Sequence, residues 1–290
     1  MGPVTAATGP AGRATVADMP ADPRAVLTRP APPPDLTLAY GDHPDQIVDL
    51  RRPAGDGPLR PLVAILHGGF WRAEYDRAHT GPLATALAGL GWPVAQVEYR
   101  RTGQPGGGWP GTLTDVRTAV AALPGMAARA LPGQVAAGAP LLLGHSAGGH
   151  LALHVAAHAP DAVRGVLALA PVADLAEAYR LDLDGGAVAA LLGGGPSEHP
   201  DRYAVADPRA LVPPPTRTVI CHGVRDRQVP VAMSRDYVAA ARAAGGDVTL
   251  VELPECEHFG LIDPDSAAWP QVRDALQSLW KDQEPLTQRR

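Results

Sequence analysis

Apolar residues arrive in two rhythms along this chain. Residues 62–66 read Leu-Val-Ala-Ile-Leu without a polar break. A run that short, with no alternation, suits a β-strand covered on both faces. Stretches 94–99, 140–143, 165–170, 216–221 and 248–253 are read as further strands. Between them the apolar positions fall three and four apart. In 79–91, Leu83, Leu87 and Leu90 share a face, Thr80 is placed to cap, Pro82 sits in the first turn and Gly91 supplies a stop. In 112–123, Leu113, Val116, Val120 and Leu123 form a stripe that Pro124-Gly125 is expected to end. Helices are also expected over 149–159, 231–244 and 267–280. Ahead of these, 35–40 and 46–50 read as a short hairpin with Gly41, Asp42 and Pro44 in its turn. Alternation of such strands with helices predicts an α/β fold, a mainly parallel sheet with helices on both faces.

Two segments break the rhythm. Residues 174–212 carry Gly193-Gly194-Gly195-Pro196 and lead into Pro213-Pro214-Pro215, with apolar Leu181, Leu183, Val188, Leu191 and Leu192 between. A small lid over a pocket is expected there. Residues 1–34 are rich in Ala, Pro, Gly and Thr and poor in large apolar side chains, so a disordered tail is expected, followed by one domain over 35–285. The tail has no basic start leading into an apolar stretch and does not read as a signal peptide, and no apolar window is long enough to predict a membrane span.

Composition narrows the classes of partner. Net charge is −5 and no run of Lys or Arg offers a nucleic-acid footprint. The two cysteines, Cys221 and Cys256, stand far apart, which fits a reducing, cytoplasmic setting and no disulfide framework. A small-molecule substrate is expected, with neither nucleic acid nor membrane as partner; a homodimer is compatible with the sequence.

The chemistry concentrates in Leu142-Leu143-Gly144-His145-Ser146-Ala147-Gly148-Gly149. A predicted strand ends at Gly144 and a helix opens near Gly148, so Ser146 sits on the bend. A tight strand-to-helix turn holds its central residue in a strained conformation, and side chains two residues to either side would clash. The hydroxyl is then presented beside a helix N-terminus, where free N–H groups favour developing negative charge. A glycine kept only for helix–sheet packing, or a phosphate loop, would leave the same trace, but no Gly-Lys-Ser/Thr follows. A nucleophilic serine needs a base and the base a carboxylate. His258 and Asp226 both follow predicted strands, at the carboxyl edge where Ser146 lies and where open parallel sheets place their sites. After strand 62–66, His67-Gly68-Gly69-Phe70-Trp71 lets the backbone turn its N–H groups into a pocket. The expected oxyanion donors are the N–H groups of Gly69, Phe70 and Ala147.

From about residue 35 to 280 the chain resembles the α/β-hydrolase superfamily, through Gly144-His145-Ser146-Ala147-Gly148, through His222-Gly223 with Asp226 and Val229-Pro230, and through His258 after the last strand. The resemblance implies an α/β-hydrolase fold and a cofactor-independent serine hydrolase with the order Ser146, Asp226, His258. Asp174 is a rival acid, or else a helix cap. The form His-Gly-Gly-x-Trp is similar to that of kynurenine formamidases (arylformamidases) and of hormone-sensitive-lipase-type esterases, which usually have a third glycine where this chain has Phe70. It implies a small carboxylic ester or aryl formamide as substrate and a substrate contact for Trp71, a core aromatic being the alternative. A non-catalytic binder on the same fold is the competing class. His150, His154 and His158 lie on one helix face and lack the converging ligands of a zinc site, so no metal is expected.

Overall fold

The computed structural model describes residues 22–281. Eight strands form one sheet: β1 (Leu36–Ala39), β2 (Ile47–Arg51), β3 (Val63–Leu66), β4 (Val94–Val97), β5 (Leu141–His145), β6 (Gly165–Leu169), β7 (Thr218–Gly223) and β8 (Val248–Leu253), in the order β1-β2-β4-β3-β5-β6-β7-β8. The β1–β2 hairpin joins antiparallel, and every pairing from β4 to β8 is parallel. The expected mainly parallel sheet is therefore present.

The unbroken apolar strands are explained by two cores. Ala64 and Leu66 of β3 pack on one face, Val63 and Ile65 on the other, because successive side chains point to opposite sides of a strand. The first face is covered by α2 (Gly111–Ala130), α3 (Ala147–His158) and α7 (Val231–Ala243), the second by α1 (Gly81–Gly89) and α8 (Trp269–Lys281). Helix α2 runs past the expected stop and contains Pro124. Met126 and Ala127, beyond the proline, are buried in the core, so packing outweighs the lost hydrogen bond.

Segment 174–212 folds as α4 (Leu175–Arg180), α5 (Ala187–Leu192), α6 (Pro200–Ala206) and a 3₁₀ turn, Pro208–Leu211. Leu175, Val188, Leu191 and Leu192 are buried in the core on the α3 side.

Residues 22–34 correct the expectation of a disordered tail over 1–34. They form a strap that begins with a 3₁₀ turn, Pro23–Leu27, whose Val26 is fully buried against the α1/α8 core. Arg29 holds Asp263 at 2.5 Å and Asp265 at 2.8 Å, and Arg51 donates to the carbonyls of Pro32 and Pro33. Residues 1–21 and 282–285 lie outside the described residues.

Candidate active site

Ser146 joins β5 to α3 with φ 57° and ψ −117°, a conformation that L-residues rarely adopt. The flanking glycines have different reasons. A Cβ on Gly144 would lie 2.2 Å from the carbonyl oxygen of Gly148, across the bend. A Cβ on Gly148 would lie 2.0 Å from the carbonyl oxygen of Leu66, so that glycine admits the end of β3 against the helix. The turn is fixed by backbone bonds: Ser146 N–H donates to Leu169 O, and Ser146 O accepts from His150 N–H and Val172 N–H.

His258 opens the turn after β8, and its side chain is almost wholly buried. Its Nδ1 bonds Asp226 Oδ2 at 2.6 Å. Asp226 Oδ1 accepts the N–H groups of Gln228 and Val229 at 2.8 and 2.9 Å. Burial alone would raise the Asp226 carboxyl, but hydrogen bonds from His222 and His258, the charge of His258 and the Val229 N–H outweigh it and hold it below the carboxylate range. Ser146 and His258 line one cavity of about 90 Å³ with Gly69, Phe70, His145 and Gln228. A larger cavity of about 740 Å³ lies under the strap, but neither Ser146 nor His258 lines it. The rival acid Asp174 caps α4 instead, its Oδ1 accepting Glu177 N–H.

The loop after β3 has three successive residues of positive φ: Gly69 at 106°, Phe70 at 48° and Trp71 at 58°. Gly68 lets it pass close to Ser146, since a Cβ there would stand 3.2 Å from Ser146 Cβ. Gly69 and Phe70 reach the cavity, and Ala147 is the first residue of α3. First-turn N–H groups have no partner within their own helix. The substrate contact expected of Trp71 is corrected. Trp71 is fully buried, donates Nε1–H to His150 Nδ1 at 3.2 Å and does not line the cavity. The aromatic side chain that the loop gives to the cavity is Phe70.

Several supporting residues escaped sequence reasoning. Glu98, at the end of β4, is buried and bonds His67 Nε2 at 2.9 Å and Arg77 N–H at 2.9 Å, which anchors the loop. Burial opposes its ionisation, but the charges of His67 and Arg101 hold it at about 2. A carboxylate inside the apolar run 94–99 was the available signal. His222 accepts from Ser234 Oγ–H at Nδ1, donates to Val229 O through Nε2, and that Nε2 lies 3.4 Å from Asp226 Oδ2. His145 Nε2–H donates to His258 O at 3.1 Å, and burial, then the charge of His258, lower its pKa well below the imidazole range. His150 and His158 donate to the carbonyls of Ala206 and Val205, which ties α3 to segment 174–212. Burial pushes the Cys221 and Cys256 thiols up to about 12, so neither is poised as a nucleophile.

The chain is similar to known esterases. It is 29% identical over 252 residues to esterase LipC of Mycobacterium tuberculosis, covering 78% of this chain and 60% of that protein. It is 28% identical over 246 residues to esterase LipQ of the same organism, covering 77% and 56%. The chain thus spans less than two thirds of the length of these curated relatives. Among solved structures, a truncated carbohydrate esterase from gut microbiota superposes with a TM-score of 0.70 at 18% identity, covering 84% of this chain and 96% of that one. Esterase B of Lactobacillus rhamnosis also gives 0.70 at 18% identity, covering 89% of each. These likenesses bear on the fold, which is that of the α/β-hydrolases. On that fold the BD-FAE family model matches residues 48–240, well over half the sequence, and the chain therefore belongs to the BD-FAE family.

Proposed function

We propose that the protein is a serine hydrolase that cleaves a small carboxylic ester through an acyl-enzyme. The observation that carries the reading is the Asp226–His258 bond, opening onto the same cavity as the strained turn at Ser146. Ser146 Oγ attacks the substrate carbonyl carbon as His258 Nε2 takes its proton. The tetrahedral intermediate holds its negative oxygen at the N–H groups of Gly69, Phe70 and Ala147, each such donor being worth about 3 kcal/mol of barrier. It collapses as the ester C–O bond breaks, and His258 returns the proton to the leaving alcohol. Water then adds to the acyl-enzyme, giving a proton to His258, and the Ser146–acyl bond breaks as that proton returns to Ser146. Asp226 fixes the Nδ1–H tautomer throughout.

The similarity to esterases LipC and LipQ supports ester hydrolysis. The sequence His67-Gly68-Gly69-Phe70-Trp71 favours an aryl formamide such as N-formylkynurenine as the second reading, with the same steps and an amine as leaving group. Ser146→Ala is expected to lower kcat for p-nitrophenyl acetate by about 10⁶-fold, and a fluorophosphonate probe is expected to label the wild-type protein at Ser146. Turnover or labelling that survives the substitution would remove the assignment. Comparing kcat/KM for N-formylkynurenine with that for short acyl esters separates the two substrates. A non-catalytic binder would neither turn over an ester nor take the probe.

A further inference from the structure

The His258 imidazole is shared by two cavities. The inner one, about 90 Å³, also contains Ser146. The outer one, about 310 Å³, is walled by Arg24, Arg225, Arg227, Glu257 and Phe259. Arg24 comes from the strap and lies 5.2 Å from the centre of the Phe259 ring, a cation–π contact that holds the guanidinium at the mouth of both cavities. The strap itself is tethered by Arg29 to Asp263 and by buried Val26.

The charges at this mouth do not balance. Arg225 is paired with Glu255. Glu257 turns its carboxylate to the N–H groups of Phe259 and Gly260, at 2.9 and 2.6 Å. In the inner cavity Asp184 is paired with Arg72 at 2.5 Å. Arg24 and Arg227 have no carboxylate partner among the described residues, in a protein of net charge −5. Guanidinium groups bind carboxylates in a bidentate fork. A concave site with an excess of one sign of charge, here three arginines against Glu257 in the outer wall, also gathers the opposite sign from solution.

We infer that Arg24 and Arg227 form a cationic rim that selects esters whose leaving alcohol carries an anionic group, such as a carboxylate. The inference rests on the hydrolase reading above and adds the substrate class. The direction follows from His258: it delivers the proton to the leaving oxygen, and the outer cavity begins at that imidazole. The acyl group enters the inner cavity, whose volume suits a short chain, and the anionic alcohol extends to the rim.

The test uses two acetate esters of closely matched size, 4-acetoxybenzoate and 4-acetoxybenzamide, with the full chain. The ratio of their kcat/KM values does not depend on the fraction of protein that is correctly folded. The wild type is expected to favour the benzoate about tenfold or more, with the preference shrinking as salt is raised. Arg24→Gln/Arg227→Gln is expected to bring the ratio near one, and Arg24→Glu/Arg227→Glu to invert it. A wild-type ratio near one, or a preference that survives both double variants, would overturn the cationic rim even with Ser146 labelled by the fluorophosphonate. Absence of labelling and of turnover with either ester would instead overturn the hydrolase reading, and the rim with it.

Discussion

Asp226 illustrates how much of this site is decided by single atoms. Its Oδ1 is committed to the N–H groups of Gln228 and Val229, and its Oδ2 to His258 Nδ1. In Asp226→Asn the amide oxygen is expected to stay on the two backbone donors, which turns the amide NH₂ toward the imidazole. Nδ1 must then accept, the ring proton moves to Nε2, and the base is lost. The expected result is a fall in kcat of about 10⁴-fold with the fold retained. Ester turnover measured beside a urea unfolding curve checks both halves of that statement. The glycines at 144 and 148 work on the same scale, and the sequence announced them because their constraint is almost local. Trp71 was harder. A tryptophan beside a glycine loop reads equally as a pocket wall or as core, and only its bond to His150, 79 residues away, separates the two.

Helix α3 is the element on which the site turns. Ser146, the residue that caps its N-terminus, makes the strained bend, and its histidines tie it to two other parts of the chain. His150 accepts from Trp71 and donates to Ala206 O, so one neutral ring holds the loop after β3 to the end of α6. His150→Leu leaves a buried N–H and a buried C=O without partners, at a cost of about 1–3 kcal/mol each. Chemical denaturation is expected to show a loss of about 2–6 kcal/mol. Unchanged stability would mean that Trp71 and Ala206 find other partners. The strap 22–34 is the other element that sequence reasoning misjudged. Its composition is that of a tail, and its single fully buried side chain, Val26, gains a core only once α1, α8 and the turn Phe259–Ile262 have formed.

Across the whole molecule, buried and half-buried histidines set the response to acid. Burial lowers His79 and His150 to about 4 each and His154 to about 2, the charges of neighbouring histidines adding to the effect at His79 and His154. An unfolded histidine titrates near 6.5. As pH falls from about 6.5 toward 4 the unfolded chain takes up protons that the native state refuses, so stability drops. Asp207, raised to about 6 by burial, acts in the opposite direction and offsets part of the loss. The urea midpoint is therefore expected to fall steadily between pH 7 and pH 5, and a midpoint that rises over this range would contradict these assignments. By itself the sequence determined the order of strands and helices, the parallel character of the sheet, and the bend and loop at Ser146 and Gly68-Gly69, since side-chain periodicity and backbone sterics act within a few residues. It also placed Asp226 and His258 at one edge, because the end of a parallel strand is a fixed address. Only the tertiary structure decided where Trp71 points, that Glu98 and His222 support the site, that α2 continues through Pro124, and that the strap is packed. Each depends on burial, and burial is conferred by partners that can lie far along the chain, as Asp263 lies 234 residues from Arg29.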